Sequence, residues 1–296
     1  MLDPGWMLVS YRRDSDEMPL IGVLEEGVVK EAPEFLPRAS LLDVVTVWTD
    51  FSAELQAWSP SRSSPVADAR LTTPLRFPQK VICTGANYYG HLEEMGIERP
   101  DGSGNPYFFL KPPTTTVTGP GDAIRLPARP TRQIDWEAEL GVVIGRRARN
   151  VSPEDARSYV AGYTIVNDIS ARDRLGRHDA VAPPFAFDWF SAKAEDTFCP
   201  IGPGIVPDWM IADPQCLSIR LSVNGVVKQD SNTSDMVCGI WDLIAQASAV
   251  VTLEPGDVIA TGTPAGVGAP RGDFLQPGDE VVVEIDRLGS LRNPVV

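Results

Sequence analysis

The run Asp135-Trp136-Glu137-Ala138-Glu139-Leu140-Gly141-Val142-Val143-Ile144-Gly145 constrains this chain more than any other stretch. Ile134, Trp136, Ala138 and Leu140 alternate with Asp135, Glu137 and Glu139, and Val142-Val143-Ile144 prolongs a β-rich pattern. Period two reads as a strand, with apolar side chains on one face and three carboxylates on the other. Carboxylates two residues apart on one strand face sit about 7 Å apart and repel unless something positive lies over them. Open solvent or lysine and arginine partners would satisfy that face. A hard divalent cation with oxygen ligands would satisfy it too, given a further ligand from elsewhere. Residues 161–166 read as a returning strand that ends at Asn167-Asp168, and Asp168 offers that ligand.

Composition removes several classes of function. A net charge of −14 provides no basic field for nucleic acid or an anionic membrane surface. Cys83, Cys199, Cys216 and Cys238 are far apart and form no CxxC, so neither a zinc ribbon nor a redox dithiol is indicated. His91 and His178 are the only histidines, which argues against a His-rich zinc or non-haem iron centre. No charged-then-apolar leader and no apolar run of transmembrane length is visible. The expectation is a cytoplasmic protein with free thiols. The 27 prolines and 25 glycines suit many short strands joined by turns.

Residues 1–73 read as a small N-terminal unit. Strands are expected at 8–11 and 20–24, a turn at Glu25-Glu26-Gly27, and one or two helices over 41–58. No catalytic constellation lies there, so packing, pocket shaping or a dimer contact is its expected role. A short apolar strand over 80–85 then leads into Asn87-Tyr88-Tyr89-Gly90-His91-Leu92-Glu93-Glu94. On a helical turn His91 and Glu94 share a face within hydrogen-bond reach. A carboxylate holding an imidazole is the arrangement of a general base, although a surface histidine beside an acid would look the same.

The polar loop Asp101-Gly102-Ser103-Gly104-Asn105 reads as a mobile lid or a plain turn. A strand over 107–110 delivers Lys111, to an anionic substrate or to solvent. Ser152 as cap and Pro153 at the first helical position predict a helix through to 160. His178, in the long loop that follows, reads as solvated. Trp189-Phe190-Ser191-Ala192-Lys193 carries a lysine behind an aromatic patch. Alternation over 217–223 ahead of Asn224-Gly225 predicts a hairpin, and an amphipathic helix follows over 240–251. The loop Thr261-Gly262-Thr263-Pro264-Ala265-Gly266-Val267-Gly268 offers N–H groups and two hydroxyls to an anion. It is no Walker loop, because no Gly-Lys-Ser/Thr follows.

Several of these segments, read together, resemble one family. They are Asp-x-Glu-x-Glu-Leu-x-Val-Val-Ile-Gly, Gly-Tyr-x-x-x-Asn-Asp-x-Ser-Ala-Arg-Asp, a Lys ahead of Cys-Pro-x-Gly-Pro, Gly-Thr-Pro-x-Gly-Val-Gly, and a Leu-Arg-Asn-Pro ending. Over residues 74–296 the chain resembles the fumarylacetoacetate hydrolase family; residues 1–73 match only loosely. The resemblance implies an α+β, mostly β fold: a mixed β-roll over 74–296 behind a small N-terminal α/β domain, in a homodimer. It also implies Mg²⁺, Mn²⁺ or Ca²⁺ as cofactor and a small oxo-acid or acylpyruvate substrate. Carried over by motif, Glu137, Glu139 and Asp168 are the ligands, and His91 with Glu94 is the water-activating pair on a lid segment. Lys193 matches the lysine beside the metal and Lys111 a lysine at the pocket edge. Thr263 matches the threonine that holds the substrate carboxylate, with Gly262 and Tyr88 beside it. Asp135 shares the acidic face but is not a ligand by resemblance; it supports the site or is solvated.

The implied chemistry is hydrolysis of a C–C bond in an acylpyruvate or 2,4-dioxo acid. Two departures bear on it. The residues before His91 (Cys83 to Asn87) contain no acid, unlike the enzyme that names the family. Where many of the family's hydrolases place a glutamine donor after the Arg-Asp pair, this chain has Leu175. Decarboxylation of oxaloacetate, keto–enol tautomerisation and 2-hydroxymuconate-type isomerisation therefore stay open, as does a non-catalytic, metal-dependent oxo-acid binder.

Overall fold

The computed structural model describes residues 5–37, 39–100, 106–129 and 131–296. The loop at 101–105 read as a lid lies outside them. Most of the regular structure is β. An eleven-stranded mixed sheet runs in the order Val28–Glu31, Leu20–Glu25, Met7–Arg12, Cys199–Pro207, Val160–Asn167, Ala138–Ile144, Val258–Ala260, Val81–Gly85, Tyr107–Lys111, with two short strands off this path. Val258–Ala260 runs parallel to Val81–Gly85, and the other pairings along the path are antiparallel. A second, four-stranded sheet contains the predicted hairpin, Ser218–Val223 with Val226–Asn232. Its turn residues Asn224 and Gly225 both take positive φ, as a tight two-residue hairpin requires.

The acidic strand sits in the middle of the large sheet and is buried on both faces. Leu140, Val142 and Ile144 join the apolar cluster shared with Ile219, Val281 and Val283 of the small sheet. Val143, on the opposite face, joins Val81, Cys83 and Val258. Val44, Val45 and Trp48 from the helices Leu41–Thr46 and Trp48–Ala57 pack into that same second cluster. Within residues 1–73, expected as a small N-terminal unit, the strands Met7–Arg12, Leu20–Glu25 and Val28–Glu31 lie in the large sheet, joined to the remainder where Leu8 pairs with Ile205.

Two elements differ from expectation. The acidic run is not one strand: Ile134–Asp135 pairs with Ser170–Ala171, and the strand restarts at Ala138. Between them the backbone bonds to side chains. The Trp136 N–H donates to Asp135 (2.8 Å), that of Glu137 to Asn167 Oδ1 (3.1 Å) and that of Ala138 to Gln229 Oε1 (2.9 Å). The helix predicted through residue 160 is only a 3₁₀ turn at Ala156–Tyr159. Ser152 Oγ does accept from the Asp155 N–H (3.3 Å), but Val160 is already drawn into register with Ile144.

Candidate metal centre

Antiparallel register brings the carboxylates together. Val166 lies opposite Glu139 and Asn167 opposite Ala138, so Asp168, one residue past the strand end, reaches the break in the acidic run. The Asp168 N–H donates to the Glu137 carbonyl (2.9 Å), which fixes the two segments side by side. One oxygen from each of Glu137, Glu139 and Asp168 lies within 4.8 Å of the others, and all three residues are buried. Three buried carboxylates this close form a donor set for a hard cation.

Lysine and arginine neutralise part of the cluster. Lys193, on the short helix Trp189–Lys193, bridges Glu137 Oε2 (2.8 Å) and Asp168 Oδ2 (2.7 Å). Arg172 spans Asp135 (2.8 Å) and Glu137 Oε1 (2.6 Å). Lys111 Nζ is 2.6 Å from Asp168 Oδ1 and donates to the Ile169 and Phe198 carbonyls (2.9 and 2.6 Å). Lys111 is therefore not solvated: it is fully buried beside Asp168, held by partners far along the chain. Four buried carboxylates, Asp135 included, face three cations.

Glu139 is the unserved one. It accepts the Gly262 N–H (2.7 Å), and none of the ion pairs of the described residues includes it. Burial, with Asp168 and Glu137 close by, pushes its carboxyl well above the usual range. Glu137 goes the other way: burial opposes its ionisation, but Lys193 and Arg172 together outweigh burial and hold it far below that range. Around the same centre Tyr88 Oη, Asn167 Nδ2 and Asp168 Oδ1 are buried without a hydrogen bond of good geometry. A divalent cation supplies the missing positive charge, so the residues present fit one.

His91 and Glu94 lie on the helix Tyr89–Glu94, with His91 Nδ1 2.6 Å from Glu94 Oε1. Glu94 Oε2 accepts the Gly266 N–H (2.9 Å), so the same carboxylate ties this helix to the 261–268 loop. Burial works against the Glu94 charge, yet the His91 and Gly266 hydrogen bonds outweigh it and lower the carboxyl's pKa. Thr263 is buried and its Oγ1 accepts from Gln229 Nε2 (2.8 Å). The Gly262 N–H, expected to be open to an anion, is instead engaged by Glu139. Gly262 takes φ +91°, and a Cβ there would meet Asn87 Cβ at 2.8 Å, so the close approach requires glycine. Asp135 is not solvated. It accepts the Gly268 (2.6 Å) and Ala269 (3.0 Å) N–H groups as well as Arg172, which ties the loop's far end to the acidic run.

Arg172, Asn87 and Gln229 were not foreseen as parts of the site. Asn87 bonds to Cys238 and Thr261, pinning the stretch before His91. Gln229 serves Ala138, Thr263 and Pro264 at once. An inward-facing glutamine on a hairpin strand was the only signal for it. His178 is exposed, as expected.

A mostly β protein with a buried Glu-Glu-Asp cluster beside a His-Glu pair is thus defined by fold and site. The chain belongs to the fumarylacetoacetate hydrolase family: the model of the fumarylacetoacetate hydrolase C-terminal domain matches residues 80–296. Among curated relatives, the mitochondrial oxaloacetate tautomerase fahd2 of Xenopus laevis is 45% identical over 228 residues, 76% of this chain and 68% of its own. Among solved structures, the fumarylacetoacetate hydrolase of Exiguobacterium antarcticum is 34% identical with a TM-score of 0.81, covering 98% of this chain and 99% of its own. Maleylpyruvate hydrolase of Sphingobium sp. SYK-6, in complex with manganese(II) and pyruvate, is 32% identical with a TM-score of 0.76, covering 98% of each chain. Both structural matches take in the N-terminal strands. No helix among the described residues is long and apolar enough to cross a membrane.

Proposed function

We propose that this chain is a divalent-metal-dependent enzyme that acts on a 2-oxo acid through its enolate, as a homodimer. The observation that carries the reading is the buried Glu137-Glu139-Asp168 cluster, one positive partner short, beside the His91-Glu94 pair. Mg²⁺, Mn²⁺ or Ca²⁺ held there would supply Lewis acidity to the substrate carboxylate and its adjacent 2-oxo oxygen. Thr263, whose oxygen accepts from Gln229 and whose own O–H is left to donate, and the buried Tyr88 would orient that carboxylate end; the Gly262 N–H is held by Glu139.

With Nδ1 directed at Glu94, His91 works through Nε2. In the first reading, C–C hydrolysis of an acylpyruvate or 2,4-dioxo acid, Nε2 takes a proton from water. The hydroxide adds to the distal carbonyl, and the C–C bond breaks. Its electron pair leaves as the enolate of the shorter 2-oxo acid, which is then protonated. The Lys193 ammonium offsets negative charge as it develops on oxygen. Lys111, paired with Asp168 and two backbone carbonyls, holds that carboxylate in place.

In the second reading Nε2 removes the proton from the carbon beside the 2-oxo group and the proton returns on oxygen, which is tautomerisation. Two observations favour it: several curated relatives above 40% identity, among them those of Xenopus laevis and Homo sapiens, are oxaloacetate tautomerases, and Leu175 has no side-chain donor. Loss of one oxyanion donor costs tetrahedral chemistry roughly 10²–10³ in rate, and tautomerisation does not need it. The test is metal-free protein reloaded with Mg²⁺ or Mn²⁺ and given acylpyruvates and oxaloacetate, with the enol followed by ultraviolet absorbance and products by chromatography. Two new acids from an acylpyruvate mean hydrolysis, pyruvate with CO₂ from oxaloacetate means decarboxylation, and enol decay without fragments means tautomerisation. His91→Ala is expected to lower kcat about 10²- to 10⁴-fold while Mn²⁺ still binds. Turnover that survives exhaustive chelation, or an undiminished His91→Ala rate, would sink the proposal.

A further inference from the structure

The strand Tyr107–Lys111 ends the large sheet, and Tyr107, Phe109 and Lys111 alternate onto one face. That face is graded. Lys111 is buried against Asp168. Two residues out, the Phe109 ring lies 5.1 Å from Lys193 Nζ. Two further, Tyr107 is half exposed. The helix Trp189–Lys193 repeats the gradient, with Lys193 on the carboxylates and Trp189 stacked on Phe109 (4.9 Å, 29°) and tilted against Tyr107 (4.9 Å, 37°). Both elements thus present a cation to the metal cluster and an aromatic ring further out. Phe190, next along the helix, is 74% exposed.

Accepting the 2-oxo-acid reading above in its acylpyruvate form, we infer that this aromatic wall selects the far end of the substrate, and that this end is an apolar, ring-sized group rather than the second carboxylate of oxaloacetate. Ring faces carry negative charge density and stack on apolar rings in offset geometry. A carboxylate placed against them would lose hydration and gain no donor. Rings open to solvent beside a buried ionic site gain by being covered, and a substrate tail covers them only when the oxo-acid head is on the metal cluster.

The experiment compares oxamate with N-phenyloxamate, two inert 2-oxo-acid mimics that differ by one ring, binding to the Mn²⁺-loaded protein by calorimetry. N-phenyloxamate is expected to bind at least about tenfold tighter. Tyr107→Ala, at a half-exposed position, is expected to bring the ratio of the two affinities towards one; Trp189→Phe, which keeps a ring in the packed position, should reduce it less. Equal affinities in the parent protein overturn the wall while leaving the 2-oxo-acid reading intact. Failure of both mimics to bind overturns that reading itself. If Tyr107→Ala instead splits an oligomer on sizing chromatography and leaves the ratio unchanged, the rings belong to a contact between copies and the inference fails.

Discussion

The two ends of the acidic run are buried alike and served very differently. Asp135 receives the N–H groups of Trp136, Gly268 and Ala269 and the Arg172 guanidinium, all between 2.6 and 3.0 Å. Glu139, four residues on, receives the Gly262 N–H. A carboxylate with a full complement of donors is part of the scaffold, whatever its burial. One left short of positive charge is, on the function proposed above, a place for a cation the chain does not itself supply. Proximity in the run therefore says little about role, and the donor count separates the roles.

The strongest way to break this comparison is at the satisfied end. Asp135→Ala leaves Arg172 with Glu137 alone and frees two loop N–H groups. Removing one partner of a buried ion pair costs about 3–5 kcal/mol. Urea unfolding of metal-free protein should show a loss of that size, and a loss under about 1 kcal/mol would mean that Asp135 is not scaffold. At the unserved end the expectation inverts. Glu139→Gln removes an anionic ligand, so Mn²⁺ affinity measured by calorimetry should fall by more than about 100-fold, beyond the usual cost of losing a residue that merely supports a ligand. The same substitution removes a buried ionisable group with no cation partner, so metal-free stability should hold or rise. A Glu139→Gln protein that unfolds more easily without metal would return Glu139 to the scaffold class.

The comparison also locates what was legible in the sequence. The carboxylates could be gathered from local signals, period two and a returning strand, but that pattern put Asp135 beside Glu137 and Glu139 on equal terms, and only the family resemblance set it apart. His91 with Glu94 needed only helical spacing. The break at residues 136–138 could not be read, because Asn167 and Gln229, which take over the backbone donors there, stand 30 and 91 residues further along the chain. The burial of Lys111 could not be read for the same reason: its acceptors, the Ile169 and Phe198 carbonyls, are supplied by tertiary packing. The helix expected after Ser152 had sound capping chemistry, but capping is worth about 1 kcal/mol and the register of Val160 with Ile144 overrode it.

A smaller effect sharpens the contrast through protons. In the metal-free protein the Glu139 carboxyl is pushed well above its ordinary value by burial and by Asp168 and Glu137, so it keeps its proton at pH values where a free carboxylate has lost it. The folded chain then binds more protons than the unfolded one. This contribution to stability is complete below the unfolded carboxyl pKa and is lost as pH rises through the raised value. Glu137, lowered by Lys193 and Arg172 against burial, has the opposite sign: its contribution is present at neutral pH and lost as pH falls into the acid range. A divalent ion needs the Glu139 carboxylate, so between the ordinary and the raised pKa each ion bound must displace about one proton. Within that window Mn²⁺ affinity should climb up to about tenfold per pH unit, or about 1.4 kcal/mol, and level off above it. Calorimetry in two buffers of different ionisation enthalpy counts the released protons directly. A count of zero at every pH above the ordinary carboxyl range would mean that Glu139 is already ionised without metal, and the asymmetry between the two ends of the run would be structural only.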